Sequence, residues 1–230
     1  MPLPKLNVPV YETILPSTNE VIKFRPFLVK EEKVLLTAGE DGSQIAMMNA
    51  IKQIVANCVQ QELDVDKLPM FDLEFIFLRL RSKSIGEEIE VNLKCQKENC
   101  NGTGKVMVNA EEINVTKPEG HNKKIMITDD VGVVMRYPVI DTLGIAEQDG
   151  MKVVKECIDM IFTKDETHER DSIDSKELDD FLESMDSKQF IKIRDFFETM
   201  PKLEHKVDFV CSMCGTEEKV TLEGIDSFFD

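Results

Sequence analysis

The chain has 230 residues and a formal net charge of −16, from 28 Lys+Arg against 44 Asp+Glu. Apolar residues make up 42%, and 13 Phe supply burial, which excludes a disordered chain. A charge of −16 repels phosphate groups and excludes a broad electrostatic grip on nucleic acid or on an anionic membrane. The N-terminus, Met-Pro-Leu-Pro-Lys-Leu-Asn-Val-Pro, has no apolar signal region. The densest apolar stretch, Leu73 to Leu80, is cut by Glu74 and Arg79 and is too short to span a bilayer. The expectation is a protein made in the cytoplasm and not bound to membrane. In a reducing compartment its six cysteines read as thiols or metal ligands before they read as disulfides.

In chain order, Val8 to Ile14 and Glu20 to Phe24 flank the turn Pro16-Ser-Thr-Asn19 and predict a hairpin. A helix follows from about Val29 to Gly39. Ser43 then opens a longer one, with Ile45, Met48, Ile51, Val55, Cys58 and Val59 at spacings near three and four. Phe71 to Arg81 is a further helix, apolar on nearly all sides and so expected to be buried at a domain centre or an interface, with part of its surface left for a partner if the domain core does not cover it all. Glu87 to Leu93 alternates as a strand, and Lys105 to Val108 answers it. A second hairpin is expected at Lys124–Ile127 and Val133–Tyr137, turning through Asp129, Asp130 and Gly132.

Helices return after Asp141. Met151 to Phe162 reads as one, with Val154, Cys157, Ile158 and Ile161 on a face. Asp174 with Glu177, and Asp186 with Gln189, have capping-box spacing and open two more. Pro201 stops the last. Two final strands, Lys206 to Val210 and Lys219 to Leu222, bracket a Cys-x-x-Cys. The fold class is α+β: β-hairpins forming a zinc-ribbon-like module, plus helical segments. The expected domains are 1–86, an N-terminal hairpin plus helices; 87–140 with 201–230, the zinc-ribbon-like module; and 141–200, an acidic helical insertion. More than half of the net negative charge falls between Asp141 and Thr199, most densely from Asp165 to Asp186. That run reads as a solvated face or as an acidic docking surface for a basic partner. It has no mid-loop Gly and no Asp-x-Asp-x-Asp register, so it is not an EF-hand.

Chemistry concentrates in Cys95-Gln-Lys-Glu-Asn-Cys100 and Cys211-Ser-Met-Cys214-Gly215, each between two predicted strands. A short Cys-to-Cys loop at a hairpin tip aims two thiolates at one point. Gly215, and Gly102 with Gly104, supply the permissive backbone such tips need. Two tips give four soft sulfur ligands, the set preferred by Zn²⁺. A redox Cys-x-x-Cys opens a helix, and this one lies between strands. Four sulfurs leave no open position for substrate, so the expected cofactor is one structural zinc per chain, on Cys95, Cys100, Cys211 and Cys214. The two pairs are separated by about 110 residues, so one ion would join a middle hairpin to the C-terminal one. Cys58 and Cys157 lie on apolar helix faces and read as core. His121, His168 and His205 read as surface or loop histidines. Phe75, Phe77 and Leu80 read as core. No phosphate-binding Gly-rich loop, serine elbow or zinc-protease motif is present, so no catalytic residue is assigned.

Tyr11-Glu-Thr-Ile-Leu-Pro-Ser17 and Ile22-Lys-Phe-Arg-Pro-Phe-Leu-Val-Lys-Glu-Glu-Lys-Val-Leu-Leu36 resemble the N-terminal signature of the baseplate hub subunit and hub assembly protein family of T-even (T4-like) bacteriophages. Asp72-Leu-Glu-Phe-Ile-Phe-Leu-Arg-Leu-Arg-Ser-Lys-Ser-Ile-Gly86, with the strand that ends in Cys95, resembles its second signature. The resemblance implies a non-enzymatic structural or assembly protein of the central baseplate hub of a contractile-tailed phage. It implies other baseplate and tail proteins as partners, and a place in the host cytoplasm during assembly, with family members either remaining in the virion tail baseplate or acting only in assembly. The zinc site comes from the cysteines and not from the resemblance. The alternative from cysteine spacing alone is a zinc-ribbon adaptor in nucleic-acid transactions or transcription. Lys94, Lys97 and Lys105 surround the first tip, but Asp208, Glu217 and Glu218 surround the second, and the net charge disfavours that reading.

Overall fold

A computed structural model describes residues 6–142, 145 and 149–228. In chain order the first elements are β1 (Tyr11–Ile14), β2 (Val21–Phe24), α1 (Val29–Asp41), α2 (Gln44–Cys58) and α3 (Met70–Ser84). Then come β3 (Glu88–Lys94), β4 (Thr103–Asn109), β5 (Asn114–Thr116), β6 (Lys124–Met126), β7 (Gly132–Met135), α4 (Gly150–Cys157) and β8 (Ile158–Phe162). The last are β9 (Thr167–Glu169), α5 (Ser175–Glu183), α6 (Ser187–Thr199), β10 (Lys202–Val210) and β11 (Glu217–Glu223). The described residues thus form a mixed α+β fold with small antiparallel sheets. The chain divides into two compact units, Met1–Thr116 with Lys202–Asp230, and Lys117–Pro201. The hairpin of residues 124–137 therefore belongs to the inserted unit.

In the first unit β1 and β2 pair antiparallel, with Tyr11 opposite Phe24. Gly42 ends α1 in the left-handed region at φ 69°, and the Ser43 hydroxyl accepts the Ala46 N–H at 3.4 Å to start α2. Glu31, only 1% exposed, accepts the Leu28 N–H at 2.8 Å and pairs with Arg25 at 3.0 Å. Arg25 also donates to the Asn57 carbonyl at 3.0 Å, so the buried carboxylate meets a cation that the backbone holds in place.

Helix α3 runs through the centre of this unit. Phe71, Leu73, Phe75, Ile76, Leu78 and Leu80 are all buried. Of the two expected settings the helix takes the domain centre, where three distant stretches of the same chain cover it in place of a partner. Asp72 accepts the Ser17 N–H at 3.1 Å and the Ser17 hydroxyl. Arg79 donates to the Ala110 carbonyl and, at 2.8 Å, to the Ile113 carbonyl. Glu74 accepts the Ile225 N–H at 3.4 Å. Asp72, Glu74 and Arg79 thus each fasten one covering segment, which is why the helix is polar at those positions.

Strands β3 and β4 form one hairpin, with Ile89 and Val91 turned inward. Strand β10 pairs with β11 over Glu204–Val210 and with the short β5, which the sequence reading did not anticipate. Lys202 lies opposite Thr116, so the chain leaves for the inserted unit and returns from it through paired residues.

The inserted unit is a four-stranded antiparallel sheet, order β6-β7-β8-β9, with a buried core that includes Val133, Ile158, Leu178, Leu182, Ile193 and Phe196. The helix expected over Met151–Phe162 is shorter in the structure. It stops at Cys157, and Ile158–Phe162 is a central strand between β7 and β9. Val154, Cys157, Ile158 and Ile161 recur at helical spacing, but the β-branched and aromatic residues after Cys157 gain cross-strand neighbours on both sides. Both capping boxes form: Asp186 with Gln189 holds α6, and Asp174 with Glu177 holds α5. Lys192 donates to the Met126 and Ile127 carbonyls at 2.8 and 2.9 Å, tying α6 to the sheet.

Candidate metal centre

The hairpins β3-β4 and β10-β11 bring their tips together. The Sγ atoms of Cys95, Cys100, Cys211 and Cys214 lie within 4.8 Å of one another. Cys95 is 3.7 Å from Cys214, and Cys100 is 3.7 Å from Cys211, so each short distance joins the two hairpins. A disulfide needs ~2.05 Å, so these are four free thiols. A tetrahedral ion with Zn–S near ~2.3 Å has an S···S edge of ~3.8 Å. The two 3.7 Å separations match that edge, and the four-sulfur donor set suits a soft or borderline ion. The cluster could therefore hold one metal ion.

The tips are shaped by backbone bonds. The Cys95 N–H donates to the Gly102 carbonyl at 2.8 Å, and the Cys211 N–H to the Thr216 carbonyl at 3.0 Å. Asn99 and Gly215 take left-handed φ values of 63° and 66°, which turns each loop back on itself. Gly215 thus does what the sequence predicts. Gly102 and Gly104 do something else: neither has positive φ, and what matters is the missing side chain. A Cβ on Gly102 would stand 2.3 Å from the Cys211 sulfur and 3.2 Å from the Cys100 sulfur. A Cβ on Gly104 would stand 2.7 Å from the Phe209 ring. Both glycines let the second hairpin lie against the first. Ser212 completes the junction, donating its N–H to the Thr103 carbonyl at 3.2 Å and its hydroxyl to the same oxygen.

Exposure is graded. Cys211 is buried, Cys95 and Cys100 are half-buried, and Cys214 is exposed. Thr216, two residues beyond Cys214, places its hydroxyl 3.1 Å from that sulfur. The Thr216 hydroxyl and then its N–H pull the Cys214 thiol down to about 6, with help from the thiols of Cys211 and Cys100. At Cys95 the Lys97 N–H favours the thiolate, but desolvation and the neighbouring thiols outweigh it and push the group up to about 12. The four thiols thus interact as one coupled set, in which hydrogen bonds from Thr216 favour the thiolate at Cys214. Neither Ser212 nor Thr216 was singled out by the sequence. A hydroxyl residue directly inside or after a Cys-x-x-Cys was the available signal.

The remaining candidates lie elsewhere. Cys58 and Cys157 are buried, and burial raises their thiols to about 11 and about 12. Phe75, Phe77 and Leu80 are buried in the first unit. His168 is exposed and His205 half-buried, both on strands. His121 is in a loop but is not a bare surface residue: its ring nitrogens sit 3.0 Å from the Thr199 hydroxyl and 3.1 Å from the Tyr137 hydroxyl. It also packs on Phe196 at 5.1 Å between ring centres and serves as a structural tie. The run from Asp165 to Asp186 is mostly solvent-exposed.

The fold and the cysteine cluster define a two-unit α+β protein with a candidate four-sulfur metal centre in its first unit. Comparison with curated proteins and with solved structures gives no match. The family described as T4 bacteriophage base plate protein matches residues 8–230, and the chain belongs to that family. Its place is accordingly the tail baseplate, among other phage baseplate proteins. No helix among the described residues is long and apolar enough to cross a membrane.

Proposed function

We propose that this chain is a non-enzymatic structural or assembly protein of the central hub of the baseplate, with a structural zinc ion on Cys95, Cys100, Cys211 and Cys214. The observation that carries the zinc reading is the pair of 3.7 Å sulfur separations, each linking one hairpin tip to the other. Bound zinc supplies a cross-link in place of a larger core, and its binding free energy becomes folding free energy of the zinc-ribbon-like module. Four protein sulfurs leave no position for water or substrate, which supports a structural role over a catalytic one. Within the module, closing the tips also fixes β10, through which the chain returns from the inserted unit.

The hub assignment is tested by genetics and co-purification. A phage lacking the protein should build defective baseplates, and the protein should co-purify with hub components on co-expression. Normal baseplates without it, and no co-purification, would refute the reading. Defective baseplates from a protein absent in finished particles would make it an assembly factor instead of a building block.

A further inference from the structure

The hairpin β1-β2 has one closed edge and one open edge. On the β2 side the chain closes itself. Gln60 N–H donates to the Lys23 carbonyl at 2.9 Å, and Arg25 N–H to the Cys58 carbonyl at 3.0 Å. The Gln61 side chain imitates a strand: its Oε1 accepts the Lys23 N–H at 2.9 Å and its Nε2 donates to the Val21 carbonyl at 3.1 Å. On the β1 side nothing corresponds. The Leu15 N–H bonds the Glu20 carbonyl at 2.9 Å, which sets the phase of the ladder. Thr13 and Tyr11 then bond inward to β2, and the N–H and C=O of Glu12 and Ile14 point away from it. Among the described residues these outward groups have no backbone partner.

The side chains above this edge are apolar. Val10 is 49% exposed and Ile14 56%, and Val21, directly opposite Ile14, is 53% exposed. On that face of the hairpin Glu12 and Lys23 pair at 3.2 Å. Pro9 and Pro16 bracket the strand and limit what can be added to a short segment, which suits one bound strand and opposes open-ended stacking.

We propose that the β1 edge is a docking site for an extended segment of another protein, which adds as a strand beside Tyr11–Ile14. The backbone groups of Glu12 and Ile14 supply the hydrogen bonds. Val10 and Ile14 take alternate apolar side chains of the segment, and a Lys or Arg between them meets the Glu12 carboxylate, which keeps acceptor capacity beyond Lys23. A second copy of this chain is the wrong occupant, because each copy carries −16 and supplies no surplus of positive charge for the other. This inference stands apart from the zinc site.

The test uses the full chain and a synthetic ten-residue peptide of alternating valine and threonine with a central lysine. In the free protein, amide exchange at Glu12 and Ile14 should be fast while Tyr11 and Thr13 are protected. Slow exchange at Glu12 and Ile14 in the free monomer would overturn the proposal. The peptide should protect both amides. N-methylating its two backbone positions that face β1 should weaken binding by at least ~10-fold, as two lost hydrogen bonds require. Ile14→Pro removes an outward N–H that the ladder does not use, and should weaken binding about fivefold with little change in Tm. Replacing the lysine by glutamate should weaken binding further. Binding indifferent to both backbone changes would overturn the proposal. So would a free protein that is a dimer and becomes a monomer on Ile14→Pro, since the occupant would then be a second copy.

Discussion

Glu74 offers a sharp test of how the first unit is held together. It projects from α3 toward the turn after β11, where its Oε1 accepts the Ile225 N–H at 3.4 Å. Burial raises its carboxyl from 4.5 to about 7, the Ile225 N–H opposes the rise, and Asp226 adds to it. The folded state therefore prefers the protonated acid. Stability from this group is fully present below pH 4.5, is lost as the pH rises toward 7, and stays lost above that. The shift corresponds to at most about 3 kcal/mol, at ~1.4 kcal/mol per pH unit. Glu74→Gln keeps an oxygen for the Ile225 N–H and carries no charge. At pH 8 it should stabilise the protein by up to about 3 kcal/mol, raising Tm by several degrees for a chain of this size. At pH 4 the gain should vanish. Denaturation of both proteins across that range measures the difference, and contributions common to both, such as metal binding, cancel. A destabilised variant at pH 8, or a gain that does not change with pH, would refute the argument.

Gly102→Ala should disrupt the cysteine cluster without touching a cysteine, because its Cβ would fall 2.3 Å from the Cys211 sulfur; metal content and Tm should both drop, and unchanged metal content would count against the geometry. Cys58→Ala should cost about 1 kcal/mol as a small core truncation and leave metal content unchanged. Cys211→Ala should remove the metal and loosen the contact between the two hairpins, which amide exchange at Thr103 and Ser212 would report. Equal thermal shifts with metal retained in both cysteine variants would contradict the distinction between core and ligand thiols.

Much of the fold was legible because local chemistry and tertiary context agree. Ser43, Asp174 and Asp186 cap the helices that their spacing predicts. The four cysteines were legible as a set because both short loops fall between alternating strands. The strand at Ile158–Phe162 was not, because its apolar positions also fit a helix face and only the flanking β7 and β9 decide between them. The three-residue strands β5 and β9 carry too few residues for any period to register. The covering of α3 was also hidden. An all-round apolar helix predicts burial, but that Ser17, Ala110, Ile113 and Ile225 reach it depends on contacts far apart in sequence. Gly102 and Gly104 read as turn glycines, and only the approach of the second hairpin reveals that they are there for what they lack.

The central claim is that the four cysteines hold one zinc ion. The most direct measurement is elemental analysis of the protein purified without added metal, beside the Cys214→Ser variant. The account predicts about one zinc per wild-type chain and a large loss in the variant. Zinc near zero in the wild type, or equal zinc in both, would contradict it.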